Sequence, residues 1–131
     1  MRAKVQASLR RRKIGERVAE LCRLARVAEG SGVLVRGSFY AYRRRCGKDG
    51  CRCARGQLHP GRAFGVSSGG RSRVVALRGL DRQEVEAGVK AWRQWRQTRA
   101  AMVAVFAELL RELDRLGEAL TTPATGLKRR G

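Results

Sequence analysis

Apolar residues recur every three or four positions through residues 3–29, where Ile14, Val18, Leu21, Ala25 and Ala28 form one row and Cys22, Leu24 and Val27 widen it. That period predicts an amphipathic helix, and Gly30-Ser31-Gly32 supplies its stop. Cys22 falls on the apolar side and is expected to pack there as a small hydrophobe. Before it lie the basic run Arg10-Arg11-Arg12-Lys13 and the weak helix former Gly15, so the first dozen residues are expected to order only on a partner. Between 33 and 42 the period drops to two. Val33, Val35, Phe39 and Ala41 alternate with Leu34, Arg36, Ser38 and Tyr40, which predicts a strand, with Gly37 a bulge or a point of close backbone approach. Residues 63–67 and 72–77 read as two further strands around Ser68-Gly69-Gly70-Arg71, a turn of hairpin type.

Asp81, with Glu84 three residues on, has the form of a helix N-cap and capping box, and the helix it opens runs to about Leu120. With Val85 as heptad position a, the a and d sites are apolar except for Gly88 and Arg99. This predicts a long, coiled-coil-like helix of about 60 Å. Such a helix outruns a domain of 131 residues. Trp92, Trp95, Met102, Phe106, Leu109, Leu113 and Leu116 are therefore expected to meet a second copy of the chain or the first helix. The acidic residues are expected mostly to be exposed on this helix, and changing Glu108 or Glu112 is expected to have little effect on binding. Thr121-Thr122-Pro123 ends the helix, and 126–131 form a basic tail.

The candidate chemistry lies between the first two strands. Cys46, Cys51, Cys53 and His59 follow the spacing C-x4-C-x-C-x5-H and include three of the four cysteines and the sole histidine. Cys₃His is a common structural zinc set. Gly47, Gly50 and Gly56 are expected to supply the turns, and an extended Cys51-Arg52-Cys53 would place both thiols on one side. A redox-active cysteine pair is the competing reading. With four protein ligands no position is left for water, so a catalytic ion is disfavoured. The Gly69-Gly70 turn is not a phosphate-binding loop, since no Lys-Ser/Thr follows it. The fold class expected is α+β, a single domain over 1–131. It comprises a basic N-terminal helix (1–30), a small antiparallel sheet (33–79) holding a zinc knuckle (46–59), a long helix (81–120) and a basic tail (121–131).

The run Arg36-Gly37-Ser38, Tyr42 with Arg43 to Arg45, then Cys46-Gly47-Lys48-x-x-Cys51-x-Cys53, Gly56 and His59 resembles a family of small uncharacterised bacterial and archaeal proteins with a Cys-Gly-Lys-Pro-x-Cys-x-Cys…His core. The similarity spans roughly residues 36 to 115. Asp49 stands for the family's proline, His59-Pro60-Gly61 for its His-Gly-Pro, and its following aromatic run is reduced to Phe64. The resemblance implies a metal-binding cysteine core that continues into a β-hairpin and ends in a long helix, in proteins often encoded among mobile-element genes.

Charge narrows the function. Lys and Arg number 30 against 11 Asp and Glu, a net of +19, yet residues 81–120 carry seven of each sign. The excess lies outside the long helix, where solubility alone would have mixed the signs, and it calls for an anionic partner. The expectation is a non-catalytic protein that binds DNA or RNA, a possible accessory of transposition or recombination. Its contact residues would be Arg10, Arg11, Arg12, Lys13, Arg43, Arg44, Arg45, Lys48, Arg52, Arg55, Arg71 and Arg73. An oligomeric adaptor for an acidic protein is the alternative. No catalytic constellation, small-molecule substrate or membrane span is read from the sequence. The start Met-Arg-Ala-Lys, without an apolar leader, suggests the cytoplasm, with the nucleoid as the site if the ligand is DNA.

Overall fold

A computed structural model of the chain describes residues 2–131. The elements are α1 (Arg2–Glu29), β1 (Ser38–Arg44), a 3-10 turn (Arg52–Arg55), β2 (His59–Ser68), β3 (Arg71–Val75), α2 (Arg82–Leu120) and a last 3-10 turn (Ala124–Gly126). The fold is α+β. It divides into two compact units, Gly32–Gln94 and a helical unit in which α1 joins Trp95–Gly131, so that α2 contributes to both.

In the first unit the three strands form an antiparallel sheet in the order β1-β2-β3. The β2–β3 link is the two-residue loop Gly69-Gly70, with φ of 59° and 76°. Positive φ at both central residues is the turn whose twist matches a hairpin. One sheet face carries Phe39, Phe64, Val66 and Val75 in register. It packs with Val35 and Leu77 on Val85 and Val89 of α2, and Phe64 is the buried centre of that core. Phe39 and Phe64 meet at 5.1 Å with rings tilted by 50°, a favourable aromatic arrangement. The Asp81 carboxylate accepts from the Gln83 amide at 2.9 Å and the Glu84 amide at 3.4 Å, capping α2.

The first strand begins later than its alternation suggests, at Ser38 instead of Val33. The Val35 amide donates to the Gly88 carbonyl at 3.0 Å, which engages this segment with α2 before it reaches the sheet. Gly37, at φ 149°, then passes so close to the Phe64 ring that no Cβ fits there. Gly88 is equally constrained, because a Cβ on it would collide with Val35 Cγ2 and lie 3.0 Å from Val35 Cβ. Helix propensity alone favours Gly88→Ala by about 1 kcal/mol. Overpacking typically costs about 1–3 kcal/mol, so the substitution is expected to lower the unfolding midpoint in urea, not raise it.

In the helical unit α1 and α2 run antiparallel, as their ion pairs require: Arg10 Nη1 to Glu112 Oε2 and Arg17 Nε to Glu108 Oε2, both 3.0 Å. The inward row of α1 is Ala7, Arg10, Ile14, Arg17, Leu21, Leu24 and Ala28. Val18 and Val27, placed on the apolar face by the sequence, are exposed. So is Cys22, one residue and about 100° of rotation from Leu21. The basic start of α1 is helical from Arg2, with Ala7 2% exposed and Arg10 paired to Glu112.

Glu112 corrects the expectation of a solvated acidic face. It is buried, accepting from Arg10 and also from Arg115 at 3.0 Å. Burial pushes its pKa up, but the Arg10 hydrogen bond and the charges of Arg10, Arg115 and Lys13 outweigh that and hold the carboxyl below its ordinary value. A depressed folded-state pKa gives stability that is present above the unfolded carboxylate value and is lost as pH falls through the folded one. Glu112→Gln is therefore expected to unfold at lower temperature near neutrality and to flatten the fall of the midpoint on acidification, as read by circular dichroism across the carboxylate range.

Candidate metal centre and basic sheet

The four side chains that could hold a metal ion lie at the connection between β1 and β2. The last pair in the β1–β2 register is Arg44↔His59, so the sheet itself fixes His59, while Cys46 follows two residues after the end of β1. Between them Gly47 takes φ 83° and the Cys51 amide donates to the Lys48 carbonyl at 3.2 Å, closing a turn. Cys51, in extended conformation, caps the 3-10 turn that holds Cys53, and Gly56 ends it at φ 103°. Gly47 and Gly56 thus take the left-handed conformation, whereas Gly50 does not. Cys51 and Cys53 converge through the helical turn and not across an extended Cys51-Arg52-Cys53. The turn brings Cys53 to Cys46, whose backbone N–H donates to Cys53 Sγ at 3.3 Å.

The donor atoms of Cys46, Cys51, Cys53 and His59 all lie within 4.8 Å of one another. Cys46 Sγ is 3.4 Å from Cys53 Sγ, and Cys51 Sγ is 3.0 Å from His59 Nε2. Cys53 is 1% exposed. The Cys46 backbone hydrogen bond, with further bonds to Cys46, Cys51 and His59, outweighs burial and brings its thiol down to about 7. At Cys51 the backbone hydrogen bond from Cys53 acts downward, but bonds with the Cys53 and Cys46 sulfurs, burial and the charge of Cys46 leave its pKa raised. A thiol that ionises near neutrality beside two more sulfurs and an imidazole nitrogen can hold a metal ion. The fourth cysteine, Cys22, belongs to the helical unit.

No protein-family model matches the chain, and no curated protein or solved structure is significantly similar to it.

Of the basic residues singled out from the sequence, Arg43, Arg44, Arg45, Lys48, Arg52, Arg55, Arg71 and Arg73 all lie in the sheet unit and are exposed. Arg10, Arg11, Arg12 and Lys13 belong to the helical unit. There Arg10 is committed to Glu112, and Arg12 sits 3.9 Å from Glu16. Arg62 went unread because the strand was started at Ala63. It lies over the Phe39 ring at 5.6 Å and, with Ala41, Tyr42, Arg43, Pro60 and Gly61, lines an open depression of about 480 Å³. The alternation Pro60, Arg62, Phe64 was the signal that would have found it. Among the oligomerisation candidates, Leu109 is buried and Trp92 carries the Arg36 guanidinium 5.0 Å over its ring, whereas Phe106 and Leu113 are exposed. Among the described residues no helix is long and apolar enough to cross a membrane.

Proposed function

We propose that the chain is a non-catalytic zinc-knuckle protein that binds nucleic acid through its basic sheet unit. The observation that carries this reading is the coincidence of a Cys₃His cluster with a field of one sign. From Val33 to Gly79 the sequence holds eleven arginine and lysine residues and one acid, Asp49. Zinc suits the donor set, since tetrahedral bonds of about 2.3 Å to sulfur put ligand atoms about 3.8 Å apart. The Cys46–Cys53 separation of 3.4 Å and the 4.8 Å limit for the whole set bracket that spacing. Zinc binding would immobilise the loop carrying Arg45, Lys48, Arg52 and Arg55 without a large core, and arginine forks would take phosphate oxygens. The resemblance of the cysteine core adds a cellular setting to the proposal, that of a mobile-element accessory acting on DNA or RNA in the cytoplasm or nucleoid. The test is an anisotropy titration of the zinc-loaded protein with duplex DNA, single-stranded DNA and RNA at two salt concentrations. Binding that is strong at low salt and steeply lost at high salt supports the reading, and absence of binding to all three removes it.

A second reading is favoured by the exposed apolar stripe of α2. Val103, Phe106, Leu110, Leu113 and Leu120 follow spacings of three, four, three and seven and are all at least 43% exposed. That spacing suits the seam of a coiled coil, and a second copy of the chain would cover it. Phe106→Asp and Leu113→Asp are expected to shift a sedimenting oligomer to monomer while leaving helicity unchanged. A wild-type protein that sediments as a monomer at all concentrations removes this reading.

A further inference from the structure

The sheet face opposite the Phe64 core carries tyrosines where an exposed antiparallel face ordinarily carries polar side chains. Tyr40, Tyr42 and Arg44 alternate along β1 on this face, opposite Ala63, Gly61 and His59 of β2. The two tyrosines are fitted to the backbone beneath them. A Cβ on Gly61 would meet Tyr42 Oη at 2.7 Å and Cε2 at 2.8 Å, and one on Gly65 would meet Tyr40 Cε1 at 3.1 Å. Both rings therefore lean across β2 onto glycines that leave room for them. Tyr40 is 43% exposed, and Val74 beyond it on β3 is 64% exposed. The core cluster of this unit lies on the other face and takes up neither tyrosine.

Charge says what such a platform would take. The Arg44 guanidinium lies over the Tyr42 ring, 5.8 Å from its centre, within cation–π range. Arg43 and Arg45 flank it in the sequence, and Asp49 is the nearest acidic residue along the chain. Alternate residues of one strand are about 6.8 Å apart along the backbone, and the two rings, resting on Gly61 and Gly65, occupy successive places along one face. Aromatic faces in a row with the Arg44 cation beside them suit bases that are already unstacked, joined by phosphates. Duplex bases present no free face to a ring, so the platform discriminates by strandedness where the arginines do not.

We propose that the Tyr40–Tyr42 face is a base-stacking site for single-stranded nucleic acid. The inference rests on the nucleic-acid reading above and adds strandedness to it. Tyrosine stacking is indifferent to the sugar, so DNA and RNA are separate arms of the test.

The experiment uses the zinc-loaded full-length protein and fluorescein-labelled oligonucleotides of equal length: oligo-dT, oligo-U and a mixed-sequence duplex. Both single strands, or one of them, should bind more tightly than the duplex at matched salt. Tyr40→Ser and Tyr42→Ser should each weaken single-strand binding by about 5- to 150-fold without altering the dependence of log affinity on log salt, and Tyr40→Phe should restore it. Metal content and circular dichroism report whether the serine variants fold. Ultraviolet cross-linking of the unmutated protein needs no variant: the tryptic peptide spanning residues 37–43, which holds both tyrosines, should carry the oligonucleotide. Equal affinity for duplex and single strand with no loss in folded serine variants, or cross-links confined to the arginine-rich peptides, overturns the stacking site and leaves phosphate binding standing. Failure of every oligonucleotide to bind at low salt overturns both.

Discussion

Removal of the metal is expected to melt the knuckle and unzip β1 from β2. The four ligands enclose the whole connection between these strands, and the sequence from Arg45 to Leu58 contains no strand to hold it otherwise. Cys53 is the most consequential ligand, because it is buried and its sulfur receives the Cys46 backbone N–H as well as lying against the Cys46 thiol. In zinc peptides the binding free energy that becomes folding free energy is on the order of 10–16 kcal/mol, which matches or exceeds the roughly 5–15 kcal/mol that holds a whole domain together. Cys53→Ser should forfeit most of it. The expected result is loss of the strand signal and of stoichiometric zinc, with α1 and the later turns of α2 retaining helicity, since their ion pairs are independent of the metal. Elemental analysis with far-ultraviolet circular dichroism before and after chelation checks this. A protein purified without stoichiometric metal, whose thermal transition ignores chelator, would falsify the assignment.

The second large effect is expected in the salt dependence of nucleic-acid affinity. If the sheet unit contacts about six phosphates, log affinity for duplex should fall against log salt with a slope near −5, or about a thousandfold between 50 and 200 mM. Replacing Arg44 and Arg45 by Glu should shrink that slope by about two and weaken all sequences alike, because phosphate contacts carry no base information. Arg10 serves as a control of a different kind. Its guanidinium is occupied by Glu112, so Arg10→Gln should lower stability more than affinity. A slope near zero, or binding that survives loss of the Arg43–Arg45 cluster, would sink the phosphate-contact reading and leave the oligomeric adaptor ahead.

The cysteine spacing, the Gly-Gly hairpin and the Asp81 cap were legible because each depends on neighbouring residues and on backbone conformations that few residue types tolerate. Tertiary partners were not. The alternation through Val33 and Val35 has the period of a strand, yet the Val35 amide goes to Gly88, fifty-three positions away. Gly88 looked like a flaw in the heptad when taken alone, and only its contact with Val35 explains it. Glu112 had the composition of a solvated site, and nothing local announced that Arg10 would reach it from another helix. The heptad row named Phe106 and Leu113 for a second copy of the chain or the first helix; both are exposed, and it is Val105, Leu109 and Glu112 that turn inward. Cys22 is exposed because it sits one step around α1 from the row that packs.

That the ligands span only fourteen positions of chain also bears on the order in which the protein acquires its shape. Closing so short a loop costs little chain entropy, and the cost grows only slowly with length. An unfolded chain that captures an ion through Cys46, Cys51, Cys53 and His59 thereby brings Arg44 beside His59, the last pair of the β1–β2 ladder. From that end the remaining pairs can zip toward Ser38 and Gly65 with no further search for register. Zinc would then act at the start of folding as well as at its end, setting the alignment of two strands before any distant residue has been found, and refolding of the sheet would quicken when the ion is supplied first.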